Sequence, residues 1–262
     1  MLHQIQEGYV KTETHQAVTT IEFYHPQGNS LPGKILDELV KEFHIAGNDD
    51  NCKVIILESA GDKIFCSGAS FDELAAIKTE AEGLRFFSGF ANIINAMRKC
   101  PKLIIGRIQG KCVGGGVGLV AACDYAIALE GADVKLSELS LGIGPFVVGP
   151  VIEKRAGAGA LYQLAIDTTS WRSCDWAKRK GLYAEVHPTV DSMEESIQRL
   201  CVNLTHSSPL AMAELKKAFW KGTEHWDELL RERAAISGRL VLSNFAKSYI
   251  EHFKEKQAAK SR

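Results

Sequence analysis

Partial alternation, unbroken apolar runs and four-residue recurrence follow one another along this chain, and each predicts a different element. His15 to Tyr24 (HQAVTTIEFY) alternates in part and is rich in β-branched and aromatic residues, which predicts a strand that Pro26 to Asn29 breaks. Leu31, Ile35, Leu39 and Phe43 then recur at helical spacing. Ser30 is the expected cap of that helix, Pro32 falls in its first turn, and Gly47 is expected to close it. KVIILE (53–58), Leu103 to Ile108 and Tyr125 to Leu129 are short apolar runs of the kind found in strands buried on both faces. Between them, Leu84, Phe87, Phe90, Ile94 and Met97 predict a helix over Thr79 to Lys99, ended by Pro101.

Beyond Gly149 the pattern is helical. The expected helices cover Gly157 to Asp167, Trp171 to Glu185, Asp191 to His206, Pro209 to Lys221, Glu224 to Leu242 and Asn244 to Gln257. Ser173 is the candidate cap of the second, and Gly181 its candidate stop. Strands alternating with helices, then helices alone, indicate an α/β core, assigned to residues 1–200, and a C-terminal helical region over 201–262.

Composition narrows the function classes. The chain has 262 residues, 45% hydrophobic and 24% charged, enough for a large core. A net charge of −1 supplies no global field for nucleic acid or anionic membrane, and neither is expected as a partner. No apolar run approaches the ~20 residues of a membrane span. The start, MLHQIQEGYVKTETHQ, lacks the basic and apolar regions of a signal peptide. Cys52, Cys66, Cys100, Cys112, Cys123, Cys174 and Cys201 are scattered with no C-x-x-C spacing, as expected for buried thiols in a reducing compartment with no metal site. A cytoplasmic protein is therefore expected.

The candidate chemistry lies between Lys102 and Gly149. A strand runs into Gly114-Gly115-Gly116-Val117-Gly118, which opens a small-residue helix ending near Cys123. A Walker loop would need Ser or Thr where Cys112 follows Gly110-Lys111, and G-x-G-x-x-G would need glycine where Leu119 stands. The cluster alone reads equally well as a structural turn or as an anion site. Ile64 to Ser70 forms a second small-residue turn after a buried strand, and two N–H groups converging on one oxygen make an oxyanion hole worth ~3 kcal/mol per donor. Glu138 is the lone carboxylate of the segment before the next glycine-rich turn, a surface acid or a base whose pKa an apolar pocket would raise. His25, His187, His206 and His225 have no serine in a nucleophile-elbow context, so no triad is expected. Asp72 and Glu73 start a helix where acids suit the dipole, with Asp72 within possible reach of the same pocket.

FCSGAS (65–70), QGKCVGGGVGLVAACDYAIA (109–128) and SELSLGIGP (137–145) together resemble the enoyl-CoA hydratase/isomerase, or crotonase, superfamily. SCDWAKRKGLYAEV (173–186) and AKSYIEHFKEK (246–256) resemble later family segments, so the likeness spans about residues 15–257. The resemblance implies a spiral of repeated ββα turns, C-terminal helices that mediate a homotrimer or homohexamer, and an acyl-CoA thioester substrate. No cofactor beyond the coenzyme A of the substrate is implied. It places the oxyanion hole at the N–H groups of Ala69 and Gly115. Cys66, Ser67 and Gly68, with Phe253 and Lys256 on the last helix, become candidate CoA contacts, although SFDELA lacks the basic residue the family often carries there.

Hydratases of this family carry two glutamates. Here the first position is Gly118 and the second is matched by Glu138. One carboxylate suits a proton shuttle within one substrate, which implies Δ3–Δ2 enoyl-CoA isomerisation. The alternatives are a hydratase with a displaced second acid, a 3-hydroxyacyl-CoA hydrolase or decarboxylase, and, from another class, a non-catalytic acyl-CoA-binding protein. Phe146 after Pro145 argues against the hydrolases and dehalogenases, which carry an aspartate there.

Overall fold

The computed structural model describes the backbone of residues 8–260 and the side chains of 8–255. Six strands form one sheet: β1 (Tyr9–His15), β2 (Val18–Tyr24), β3 (Val54–Ser59), β5 (Leu103–Ile108), β7 (Tyr125–Leu129) and β9 (Glu185–His187), in that order across the sheet. Three short strands form a second: β4 (Ile64–Cys66), β6 (Lys111–Val113) and β8 (Val134–Lys135). Only the β1–β2 pair is antiparallel among the paired strands. Each of β3–β4, β5–β6 and β7–β8 gives one strand to either sheet before the chain moves on. That repetition is the ββα spiral.

Eleven helices among the described residues complete the fold: α1 (Gly33–Asn48), α2 (Phe71–Ala76), α3 (Glu80–Lys99), α4 (Gly115–Ala122), α5 (Gly149–Ala156), α6 (Ala158–Ile166), α7 (Cys174–Arg179), α8 (Val190–Thr205), α9 (Pro209–Phe219), α10 (Trp226–Leu240) and α11 (Asn244–Lys260). The apolar runs are explained by cover on both sheet faces. Leu57 and Ile104 join the main core, while Val54, Ile105 and Ile127 pack against Met193, Ile197 and Cys201 of α8. The division set after residue 200 runs through α8, which is continuous across it. α3 starts with a capping box, Thr79 receiving the Glu82 N–H while the Glu82 side chain receives that of Thr79.

Several expected elements are corrected. The strand predicted over His15 to Tyr24 is a hairpin: His15 ends β1, and Gln16 and Ala17 turn with φ of 48° and 65°. A two-residue turn of that hand usually uses Asn-Gly, and Gln-Ala carries no such signal. Ser30 does not cap α1. Its hydroxyl bonds His25 Nδ1 at 2.8 Å, and Pro32 takes the N-cap position. Gly47 lies inside α1, where Cys100 and Pro101 pack close to its Cα. The helix expected over Gly157 to Asp167 is present as α6, with α5 ahead of it, whereas Trp171 to Glu185 holds only α7 before the chain returns to the sheet as β9.

The C-terminal helices pack on the elements that border the cavity described below. α10 crosses α3 so tightly that a Cβ on Gly83 would lie 2.6 Å from Gly238 Cα. α11 seats on α2 through Phe253 stacked on Phe71, with centroids 4.0 Å apart, and Lys254 paired with Asp72 at 2.8 Å.

Candidate active site

Two turns meet at this site. β4 ends at Cys66, whose thiol is buried under Gly116 and pushed up to about 12 by that burial. Gly68 follows with φ 89°, a left-handed conformation suited to glycine, and its carbonyl accepts the Leu31 N–H at 2.8 Å. Leu31 and Ala69 are parallel bridge partners, and in that pairing the N–H of Ala69 itself points away from Leu31. Ser70 then caps α2, receiving the Glu73 N–H.

The second turn follows β6. Gly114, at φ 54°, donates its N–H to Lys135 at 2.9 Å and accepts those of Val117 and Gly118. Gly115 begins α4, where first-turn N–H groups have no partner within the helix and the dipole favours negative charge. A Cβ on Gly68 would lie 3.4 Å from the Gly115 nitrogen and 2.9 Å from the Val113 carbonyl, so the two turns touch. A Cβ on Gly115 would meet Phe90 at 2.3 Å, and one on Gly116 would meet Cys66 at 2.7 Å. The glycine cluster is set by these close approaches.

Glu138 enters from the turn after β8. Its carbonyl accepts the N–H groups of Leu141 and Ile143, and Ser140 ties the turn to Thr168. The carboxylate lies against the same cluster: a Cβ on Gly114 would be 3.0 Å from Oε1. Oε2 is sealed from solvent without a hydrogen-bond partner. Loss of hydration raises the Glu138 pKa to about 7, against the opposing pull of its own N–H and that of Ser137. An unpaired buried oxygen is costly for stability and useful for chemistry.

Ser67, Gly68, Ala69, Gly115 and Glu138 all line one cavity of about 520 Å³, its solvent-open mouth included. Its other walls are mostly apolar, with Phe71, Phe87, Phe90, Leu141, Phe146 and Val148 prominent, and among the described residues Glu138 is the sole titratable one that lines it. Cys66 lies beneath this lining. Phe253 stacks on Phe71 at the edge, and Lys256 lies on α11 with its side chain outside the described residues. Asp72 does not enter the cavity. Lys254 and Gln27 bind its carboxylate at 2.8 Å each and hold its pKa low. Glu73 instead receives the Gly33 N–H at 2.8 Å, fastening the start of α1 to α2.

Sequence reasoning did not single out Val148, Phe87 or Ser237 as cavity residues, nor Lys254 as the partner of Asp72. Val148 sits in an apolar run with no distinguishing neighbour, and Ser237 comes from a helix remote in sequence. His25 and His187 are engaged by Ser30 and Glu185 respectively. Among the described residues no group of His, Cys, Asp and Glu is placed to hold a metal ion, and no helix is long and apolar enough to cross a membrane.

The family model described as enoyl-CoA hydratase/isomerase matches residues 13–260. The chain is 25% identical over 227 residues to the mitochondrial Delta(3,5)-Delta(2,4)-dienoyl-CoA isomerase of Pongo abelii, covering 82% of this chain and 69% of that one. It is 28% identical to carnitinyl-CoA dehydratase of Proteus mirabilis, covering 79% and 78%. A solved structure of an enoyl-CoA hydratase from Bacillus halodurans superposes with a TM-score of 0.86 at 22% identity, over 93% of this chain and 99% of that one. At that identity the likeness speaks to the fold.

Proposed function

The chain belongs to the enoyl-CoA hydratase/isomerase, or crotonase, family of acyl-CoA enzymes, and we propose that it is a Δ3–Δ2 enoyl-CoA isomerase in which Glu138 alone moves the proton. One observation carries the reading: among the described residues Glu138 is the sole titratable one lining the cavity, with its pKa raised to about 7. A hydratase with a displaced second acid would need another carboxylate among the lining residues, and among the described residues none lines it.

The thioester carbonyl of a 3-enoyl-CoA accepts the N–H groups of Ala69 and Gly115. Ionised Glu138 removes a proton from the α-carbon, and the electrons of that C–H bond move into the carbonyl to give a dienolate. The two N–H groups and the α4 dipole stabilise the oxyanion. Protonated Glu138 then returns the proton to the γ-carbon, leaving the double bond between the α- and β-carbons. A pKa near neutrality suits both halves, since the same group must take and give the proton. Apolar walls keep water from intercepting the dienolate. Ser67 and Gly68 line the cavity and α11 packs on its wall residue Phe71, and the CoA moiety would enter past them.

Glu138→Gln keeps the shape and removes the base, so turnover of a 3-enoyl-CoA should fall by about a thousandfold. The conjugated thioester formed is followed by its ultraviolet absorbance. Unchanged turnover would refute the assignment. The same reading carries a homotrimer or homohexamer, which sedimentation analysis would test.

A further inference from the structure

Gly115 and Gly118 stand three residues apart on α4 and so share one face of the helix. Gly115 lines the cavity, whereas Gly118 does not, because Val148 covers it. A Cβ built on Gly118 would lie 2.6 Å from Val148 Cγ1 and 3.0 Å from Val148 Cβ. Val148 therefore fills the volume that a side chain at residue 118 would occupy, and it is itself a cavity wall, only 5% exposed. The chain fixes it there: Val148 precedes α5, and its carbonyl accepts the Ile152 N–H at 3.1 Å.

The two ends of the glycine cluster are thus filled by opposite chemistry, a carboxylate against Gly114 and an isopropyl group against Gly118. An ordered water needs two to four polar partners, and methyl groups offer none. We propose that Val148 determines reaction specificity by filling the space over Gly118 and keeping water from that side of the cavity. The enoyl thioester then exchanges a proton with Glu138 and adds no water. This inference rests on the isomerase reading.

Hydration would form a C–O bond at the β-carbon and a C–H bond at the α-carbon, break the C=C π bond and one O–H bond, and draw both added groups from a single water. With Val148 removed, a water over Gly118 would attack the β-carbon, passing its proton through Glu138 to the α-carbon, while Ala69 and Gly115 hold the intermediate enolate.

The test incubates wild type, Val148→Ala, Val148→Ser and the double variant Gly118→Glu/Val148→Gly with 3-enoyl- and 2-enoyl-CoAs in isotopically labelled water. Products are read by mass spectrometry, and folding by circular dichroism. Wild type should isomerise without forming 3-hydroxyacyl-CoA. Either single variant that folds should form labelled 3-hydroxyacyl-CoA at least about tenfold faster than wild type, and the double variant faster again. Hydration by wild type, or folded variants that still isomerise and add no water, would overturn the role of Val148 and leave the isomerase reading standing. A wild type that fails to isomerise would instead overturn the isomerase reading, and this inference with it.

Discussion

Asp124 and Glu138 are both carboxylates withdrawn from water, one at the C-terminal end of α4 and the other beside its N-terminal end. Asp124 receives Lys216 Nζ at 2.8 Å, the Ile104 N–H at 2.8 Å and the Trp220 indole N–H at 3.4 Å. Lys216, only 2% exposed, also donates to the Lys102 carbonyl at 2.8 Å. Glu138 has Oε2 without a partner and a pKa raised to about 7 by burial. A buried charge that is fully answered locks α9 to the core. One left unanswered holds a proton poised near neutrality, and its cost is offset elsewhere in the fold.

Removing the charge should therefore have opposite effects at the two sites. Asp124→Asn leaves the Lys216 ammonium buried without its counter-charge, and chemical denaturation should show a loss of about 4 kcal/mol. The folded fraction should retain its turnover, since Asp124 does not line the cavity. A loss below about 1 kcal/mol would remove the distinction between the two sites. Glu138→Gln should do the reverse. The folded state holds the Glu138 proton more tightly than the unfolded chain does, so the ionised group lowers stability as pH rises from about 4.5 to about 7. At higher pH the variant should be more stable than wild type by up to about 3 kcal/mol, the full shift converted, while turnover is lost. Equal stability of the two at high pH would mean that the carboxylate is better solvated than its position implies.

The same shift sets a pH dependence of rate. Under the proposed reading ionised Glu138 takes the α-proton, so kcat/KM should climb about tenfold per pH unit below about 7 and level off above it. A limb centred near the ordinary glutamate value would contradict the burial of Glu138.

The glycine cluster, the strands Leu103–Ile108 and Tyr125–Leu129, and the candidacy of Glu138 were legible because each rests on a local pattern. Three kinds of feature were not. Strands of two or three residues, such as Val134–Lys135 and Glu185–His187, are too short to show a period and exist through pairing with distant strands. Gln16 and Ala17 turn the hairpin without the usual residues, because the seven paired positions flanking them hold the register. Ser30 looks like a cap, yet the half-buried His25 competes for its hydroxyl. The contrast between Glu138 and Asp124 belongs to the first kind, set by partners distant in sequence. Nothing near either carboxylate in sequence announces that Lys216 reaches one and that no cation among the described residues pairs with the other.

Asp72 supplies a third case, and the smallest expected effect. Its carboxylate stands at the cavity edge, paired with Lys254 at 2.8 Å and Gln27 at 2.8 Å, but both ionic side chains are about half exposed, 55% and 46%. Water already answers such charges, so the pair gains little and is screened by salt. Asp72→Asn should cost less than about 1 kcal/mol, and added salt should shrink even that. Phe253 on Phe71 would still seat α11, because that contact buries apolar rings and does not depend on charge. If the variant instead lost several kcal/mol at low and high salt alike, Asp72 would belong with Asp124 as a structural charge, and α11 would be held to α2 mainly by its ion pair.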